Sequence, residues 1–87
     1  MFSVELSQKA NKFYESLDKH LRERVRLGLK KLELDAVPGD AKFVGRHEGE
    51  KVFRIRIGDY RALYKVKDDS KIVLVTKIDK RPRVYER

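Results

Sequence analysis

Between Phe53 and Arg61 the chain reads Phe-Arg-Ile-Arg-Ile-Gly-Asp-Tyr-Arg, a strict apolar–basic alternation that runs into a two-residue turn. Alternation with period two is the signature of a half-buried strand, and Gly58-Asp59 suits a tight hairpin with glycine at its first central position. The turn sets the register: Ile57 faces Tyr60, and Arg56 faces Arg61. Side chains on a strand alternate faces, so Phe53, Ile55, Ile57, Tyr60, Ala62 and Tyr64 share one side and Arg54, Arg56 and Arg61 the other. Like charges directly opposite destabilise a ladder by about 0.2–1 kcal/mol. A sheet face that collects three guanidinium groups therefore calls for an anion.

The distribution of charge agrees. Residues 1–41 carry a net +1, whereas residues 42–87 carry +7 of the chain's total +8. Such a field attracts phosphate backbones, acidic protein segments or anionic surfaces. With 87 residues, residues 1–87 form one domain with a core of moderate size. The absence of cysteine removes disulfides, thiol nucleophiles and thiolate metal sites, and His20 and His47 stand alone without metal-ligand spacing. No cofactor or metal is expected. No apolar run approaches the roughly 20 residues that span a bilayer, and the N-terminus lacks a signal-peptide apolar region. A cytoplasmic protein without membrane partners is the expectation.

Along the chain the pattern predicts a strand, two helices, then strands. Phe2, Val4 and Leu6 alternate as a first strand. Ser7 caps a first helix carrying Ala10, Phe13, Tyr14 and Leu17 at helical spacing. Asp18 caps a second from Lys19 to about Leu34, with Leu21, Val25, Leu29 and Leu32 buried and Leu27 and Leu34 widening that stripe. Gly28 inside this helix marks a close helix–helix approach. Val37-Pro38-Gly39-Asp40 ends the helical part. A short strand near Lys42 to Val44 precedes strands over Lys51–Ile57, Tyr60–Lys67 and Lys71–Ile78. Asp68-Asp69-Ser70 is read as a three-residue connection, so Tyr64 faces Leu74, Ala62 faces Thr76 and Tyr60 faces Ile78. That register buries Ile72, Leu74 and Ile78. It puts Lys77 opposite Arg61 on the open face, beside an apolar strip of Leu63, Val73 and Val75. The fold class is α+β: an N-terminal strand and two helices packed on one face of a mostly antiparallel sheet of four to five strands.

The open face then combines a cationic patch, Arg54, Arg56, Arg61 and Lys77, with the apolar strip. A basic tail, Asp79-Lys80-Arg81-Pro82-Arg83-Val84-Tyr85, follows the last strand. An aromatic ring within an arginine cluster suits stacking on a base, or a hydrogen bond to phosphate or hydroxyl.

This order of elements resembles the RelE/ParE superfamily of toxin–antitoxin toxins. The most specific parts are Gly58-Asp59-Tyr60-Arg61 with Tyr64, and Lys80-Arg81 through Tyr85. The resemblance spans essentially the whole chain. It implies a RelE-like fold and a metal-independent endoribonuclease, a ribosome-dependent mRNA interferase cutting in the ribosomal A site. A RelB-like antitoxin would hold it inactive, and ribosome and mRNA are its other implied partners. The resemblance assigns catalytic roles to Arg54 and Arg56 before the turn, to Arg61 after it, and to Arg81 and Tyr85. Lys77, Lys80 and Arg83 are assigned to RNA binding. Arginine at 54 and 56, where the family commonly has lysine, keeps the charge but cannot act as a general base. Two other classes stay open: a ParE-like toxin that inhibits DNA gyrase, and a non-catalytic RNA- or ribosome-binding module.

Overall fold

The computed structural model describes residues 1–80. Five strands form one sheet: β1 (Ser3–Leu6), β2 (Lys42–His47), β3 (Glu50–Ile57), β4 (Tyr60–Lys67) and β5 (Ile72–Lys80), in the spatial order β1-β5-β4-β3-β2. All neighbours are antiparallel except β1, which runs parallel to β5. Helices α1 (Gln8–Glu15) and α2 (Lys19–Lys30) connect β1 to the rest and cover one sheet face. No described helix is long and apolar enough to cross a membrane.

Local chemistry explains both helix starts. The Ser7 hydroxyl accepts from the Ala10 amide at 3.1 Å, and Asp18 Oδ1 accepts from the Leu21 amide at 3.0 Å. Each cap contributes about 0.5–2 kcal/mol. Ala10, Val25, Leu29 and Leu32 are buried against the sheet, with Leu21 partly so. The second helix is shorter than its pattern suggests. It stops at Lys30 and tightens into a 3-10 turn over Lys31–Glu33. Leu27 and Leu34 do not widen the stripe, being 51% and 81% exposed. Leu27 sits two residues from buried Leu29, roughly 200° around the helix, and Leu34 lies beyond the end of the 3-10 turn. Gly28 does mark a close approach, but to the sheet: a Cβ there would lie 2.7 Å from Ile57 Cγ2.

The central hairpin has the register its turn chemistry predicts, Ile57 opposite Tyr60 and Arg56 opposite Arg61, with Gly58 at φ +59°. Strand β2 runs three residues beyond Val44. A bulge between Phe43 and Gly45 breaks its alternation, and Glu48-Gly49, both at positive φ, closes a second two-residue hairpin.

Between β4 and β5 the expected register is overturned. Lys67 pairs with Ile72, so the connection has four residues, Asp68 to Lys71, with Lys71 left-handed at φ +57°. Tyr64 consequently faces Val75 rather than Leu74. The parity argument fails because β5 is interrupted: Thr76 is an extra residue opposite the Leu63–Tyr64 step, and its hydroxyl reaches the Leu63 carbonyl at 3.4 Å. Beyond this bulge Ala62 faces Ile78, Leu63 faces Lys77, Arg61 faces Asp79 and Tyr60 faces Lys80. Val73 and Val75 are therefore fully buried, not part of an open strip, while Ile72 and Leu74 point outward and are half-buried. Ile78 is buried as expected.

Candidate nucleic-acid interface

The sheet face away from the helices is built in rows across β3, β4 and β5. Next to the Gly58 turn lies Arg56–Arg61–Asp79; one step further is Arg54–Leu63–Lys77. The third is Val52–Lys65–Leu74, and the fourth row ends in Lys67–Ile72. Charged side chains thus dominate the two rows next to the turn, and apolar Val52, Leu74 and Ile72 flank Lys65 and Lys67 in the rows beyond. Arg54, Arg56 and Lys77 are exposed and Arg61 is half-buried. Arg54, Arg61, Leu63, Lys77 and Asp79, with Val44 from the β2 bulge, line a depression of about 240 Å³.

The two ends of this face differ electrostatically. Lys65 Nζ lies 3.2 Å from Glu48 and 3.7 Å from Glu50, and Lys67 Nζ lies 3.5 Å from Glu50. The carboxylates of the β2–β3 turn neutralise that end. The link to Lys65 holds the Glu48 carboxyl below its ordinary pKa. At the other end, among the described residues, no carboxylate pairs with Arg54 or Arg56, and Asp79 is shared between Arg61 at 3.7 Å and Lys77 at 3.5 Å. Uncompensated positive charge is concentrated around the depression. A phosphate diester brought there meets several guanidinium groups and one ammonium, with apolar surface alongside for a base or ribose.

Of the residues singled out from sequence, the structure gathers Arg54, Arg56, Arg61 and Lys77 on one face. Lys80 is not with them: it lies opposite buried Tyr60, on the helix side of the sheet at the strand end. Arg81, Arg83 and Tyr85 lie outside the described residues. Sequence reasoning missed Asp79 and Val44. Both are placed by bulges, at Thr76 and beside Gly45, and strict alternation carries no sign of a bulge.

Residues 4–85 match the family described as the ParE toxin of the type II toxin-antitoxin system parDE. A Methanocaldococcus jannaschii protein carrying the name RelE1 is 27% identical over 86 residues, covering 98% of this chain and 96% of its own length. The fold superposes on archaeal RelE in its complex with RelB from Pyrococcus horikoshii with a TM-score of 0.81 at 27% identity, over 94% of this chain and 97% of that one. The isolated Escherichia coli RelE toxin superposes with a TM-score of 0.76 at 22% identity, over 99% and 93% of the two chains, a likeness of fold. Strand order, helix placement and a family match over nearly the full length converge, and the chain belongs to the RelE/ParE toxin family of type II toxin–antitoxin systems, with a RelE-like fold.

Proposed function

We propose that this toxin is a ribosome-dependent mRNA endoribonuclease that cuts in the ribosomal A site without a metal ion. The observation that carries the reading is the convergence of Arg54, Arg61 and Lys77 on one depression of the sheet face away from the helices, with Arg56 directly opposite Arg61 at its edge. In the reaction the ribose 2′-oxygen attacks the adjacent phosphorus as its proton leaves. The bond to the 5′-oxygen breaks, and the products are a 2′,3′-cyclic phosphate and a 5′-hydroxyl. Negative charge builds on the five-coordinate phosphorus, where preorganised donors act most strongly, at about 2.7–4 kcal/mol for one well-placed donor. Guanidinium groups supply that stabilisation but take no proton. Tyr85 orients the 2′-hydroxyl or accepts its proton, Arg81 joins the charge clamp, and Arg83 adds an RNA contact. So few acid–base groups make free RNA a poor substrate, and the ribosome contributes rate by orienting the message.

The partner of this reading is a RelB-like antitoxin. The Pyrococcus horikoshii RelE was crystallised with RelB. A segment with acidic side chains over the Arg54–Arg61 end and apolar ones over Leu63, Leu74 and Ile72 would match the face as built. The second reading, gyrase inhibition, is favoured by the description of the matching family as ParE.

End analysis of mRNA from arrested ribosomes tests the proposal. Wild-type toxin should leave 2′,3′-cyclic ends at A-site codons, and Arg81→Ala and Tyr85→Phe should each remove them with little change in Tm. Gyrase inhibition without mRNA scission would establish the ParE reading. Translation arrest at full strength in both variants would point to a binding module.

A further inference from the structure

We propose that Asp79 is a positioning residue: it holds Arg61 and Lys77 at the spacing of a phosphate cradle, with the guanidinium turned so that its terminal amino groups face the substrate. This inference rests on the endoribonuclease reading and adds a residue to its site. Three observations meet at Asp79. It is directly opposite Arg61 in the ladder, at the end of the row Arg56–Arg61–Asp79. Its two oxygens are divided between two cations, Oδ1 to Arg61 Nε at 3.7 Å and Oδ2 to Lys77 Nζ at 3.5 Å. It also lines the same depression as Arg54, Arg61 and Lys77.

The Thr76 bulge makes the arrangement possible. Were β5 uninterrupted from its pairing of Lys67 with Ile72, Lys77 would fall opposite Ala62 in the core and Ile78 would take the place of Asp79 opposite Arg61. One inserted residue returns Lys77 and Asp79 to the open face together. Contact through Nε leaves the two terminal nitrogens of Arg61, with four N–H donors, for phosphate oxygens. A carboxylate amid an anion site repels substrate, and a half-exposed ion pair adds little to stability. Asp79 also offsets the like-charge pairing of Arg56 and Arg61 across the ladder, and its division between two site cations fixes in addition their spacing and orientation. With each oxygen facing a cation, Asp79 acts through Arg61 and Lys77 rather than as the proton acceptor.

The test uses the full chain with programmed ribosomes under single-turnover conditions. Asp79→Asn keeps the shape and removes the charge. It should lower the maximal cleavage rate by roughly 10- to 100-fold, the scale of a misplaced group, while the half-saturating ribosome concentration stays the same or falls. Asp79→Glu should recover part of the rate, and in an Arg61→Ala background Asp79→Asn should cost less than it does in wild type, because only the Lys77 contact is then left to lose. Cleavage by Asp79→Asn at the wild-type rate or faster overturns the proposal, as do losses that simply multiply in the double variant. Arginine side-chain NMR decides it separately from activity. The Arg61 Nε–Hε resonance should be ordered in wild type and should shift and broaden in Asp79→Asn. An unchanged resonance overturns the positioning role. If wild-type toxin cuts no A-site mRNA, the endoribonuclease reading falls, and the resonance still decides whether Asp79 orients Arg61.

Discussion

Tyr64 shows how much a single residue sets in this molecule. Its ring is fully buried on β4, stacked on Phe53 at 5.8 Å, and its hydroxyl donates to the Ala36 carbonyl at 2.8 Å. That bond ties the segment after the helices to the middle of the sheet. Burial, assisted by the negative charges of Asp40 and Asp35, pushes the phenol pKa up to about 12. The folded pKa lies above the unfolded value of about 10, so the native state retains the proton where the unfolded chain loses it. This contribution is complete below pH 10 and disappears as pH rises towards 12, a loss on the order of 2 kcal/mol. In an absorbance titration one tyrosine should ionise late. Tyr64→Phe should remove that late step, and should cost about 1–3 kcal/mol at neutral pH by leaving the Ala36 carbonyl unpaired. Equal stability of the two proteins at neutral pH, by urea unfolding, would show that the latch contributes nothing.

At the scale of elements, what could be read from sequence is what local chemistry determines. Ser7 and Asp18 bond amides three residues on, and Gly58-Asp59 closes a turn between adjacent residues, so each signal sits within four positions. The register of β4 against β5 is different. It depends on Lys71 adopting a left-handed backbone and on Thr76 finding the Leu63 carbonyl across the ladder. Neither is encoded in apolar periodicity, so Val73 and Val75 read as surface when they are core. Gly28 belongs to both kinds: a glycine within a helix is visible, but its neighbour Ile57 is not. Gly28→Ala adds up to about 1 kcal/mol of helix propensity, against an overpacking penalty of about 1–3 kcal/mol from a Cβ that would lie 2.7 Å from Ile57 Cγ2. The net should be a lower Tm. In an Ile57→Ala background, itself destabilised, the same substitution should instead raise Tm. A Tm gain from Gly28→Ala in the wild-type background would mean that α2 lifts off β3 at little cost.

At the scale of the whole molecule, the net +8 matters less than where it is left uncompensated. Glu48 and Glu50 neutralise Lys65 and Lys67 at one end of the open face, while Arg54 and Arg56 have no acidic partner among the described residues at the other. Composition alone predicted a basic half. Only the folded sheet divides it into a quenched end and an uncompensated one, because Glu48 of the β2–β3 turn and Glu50 at the start of β3 reach the lysines of the neighbouring strand β4. Two substitutions that each remove one positive charge should therefore differ. Arg54→Gln should weaken ribosome binding and cleavage, and should reduce the slope of log affinity against log salt by about 0.7–0.9 if one phosphate contact is lost. Lys67→Gln, which removes a charge already paired with Glu50, should leave both close to wild type. Binding measured from low to moderate salt distinguishes the cases. Equal losses in the two variants would mean that overall charge, not its placement around the depression, brings the toxin to RNA.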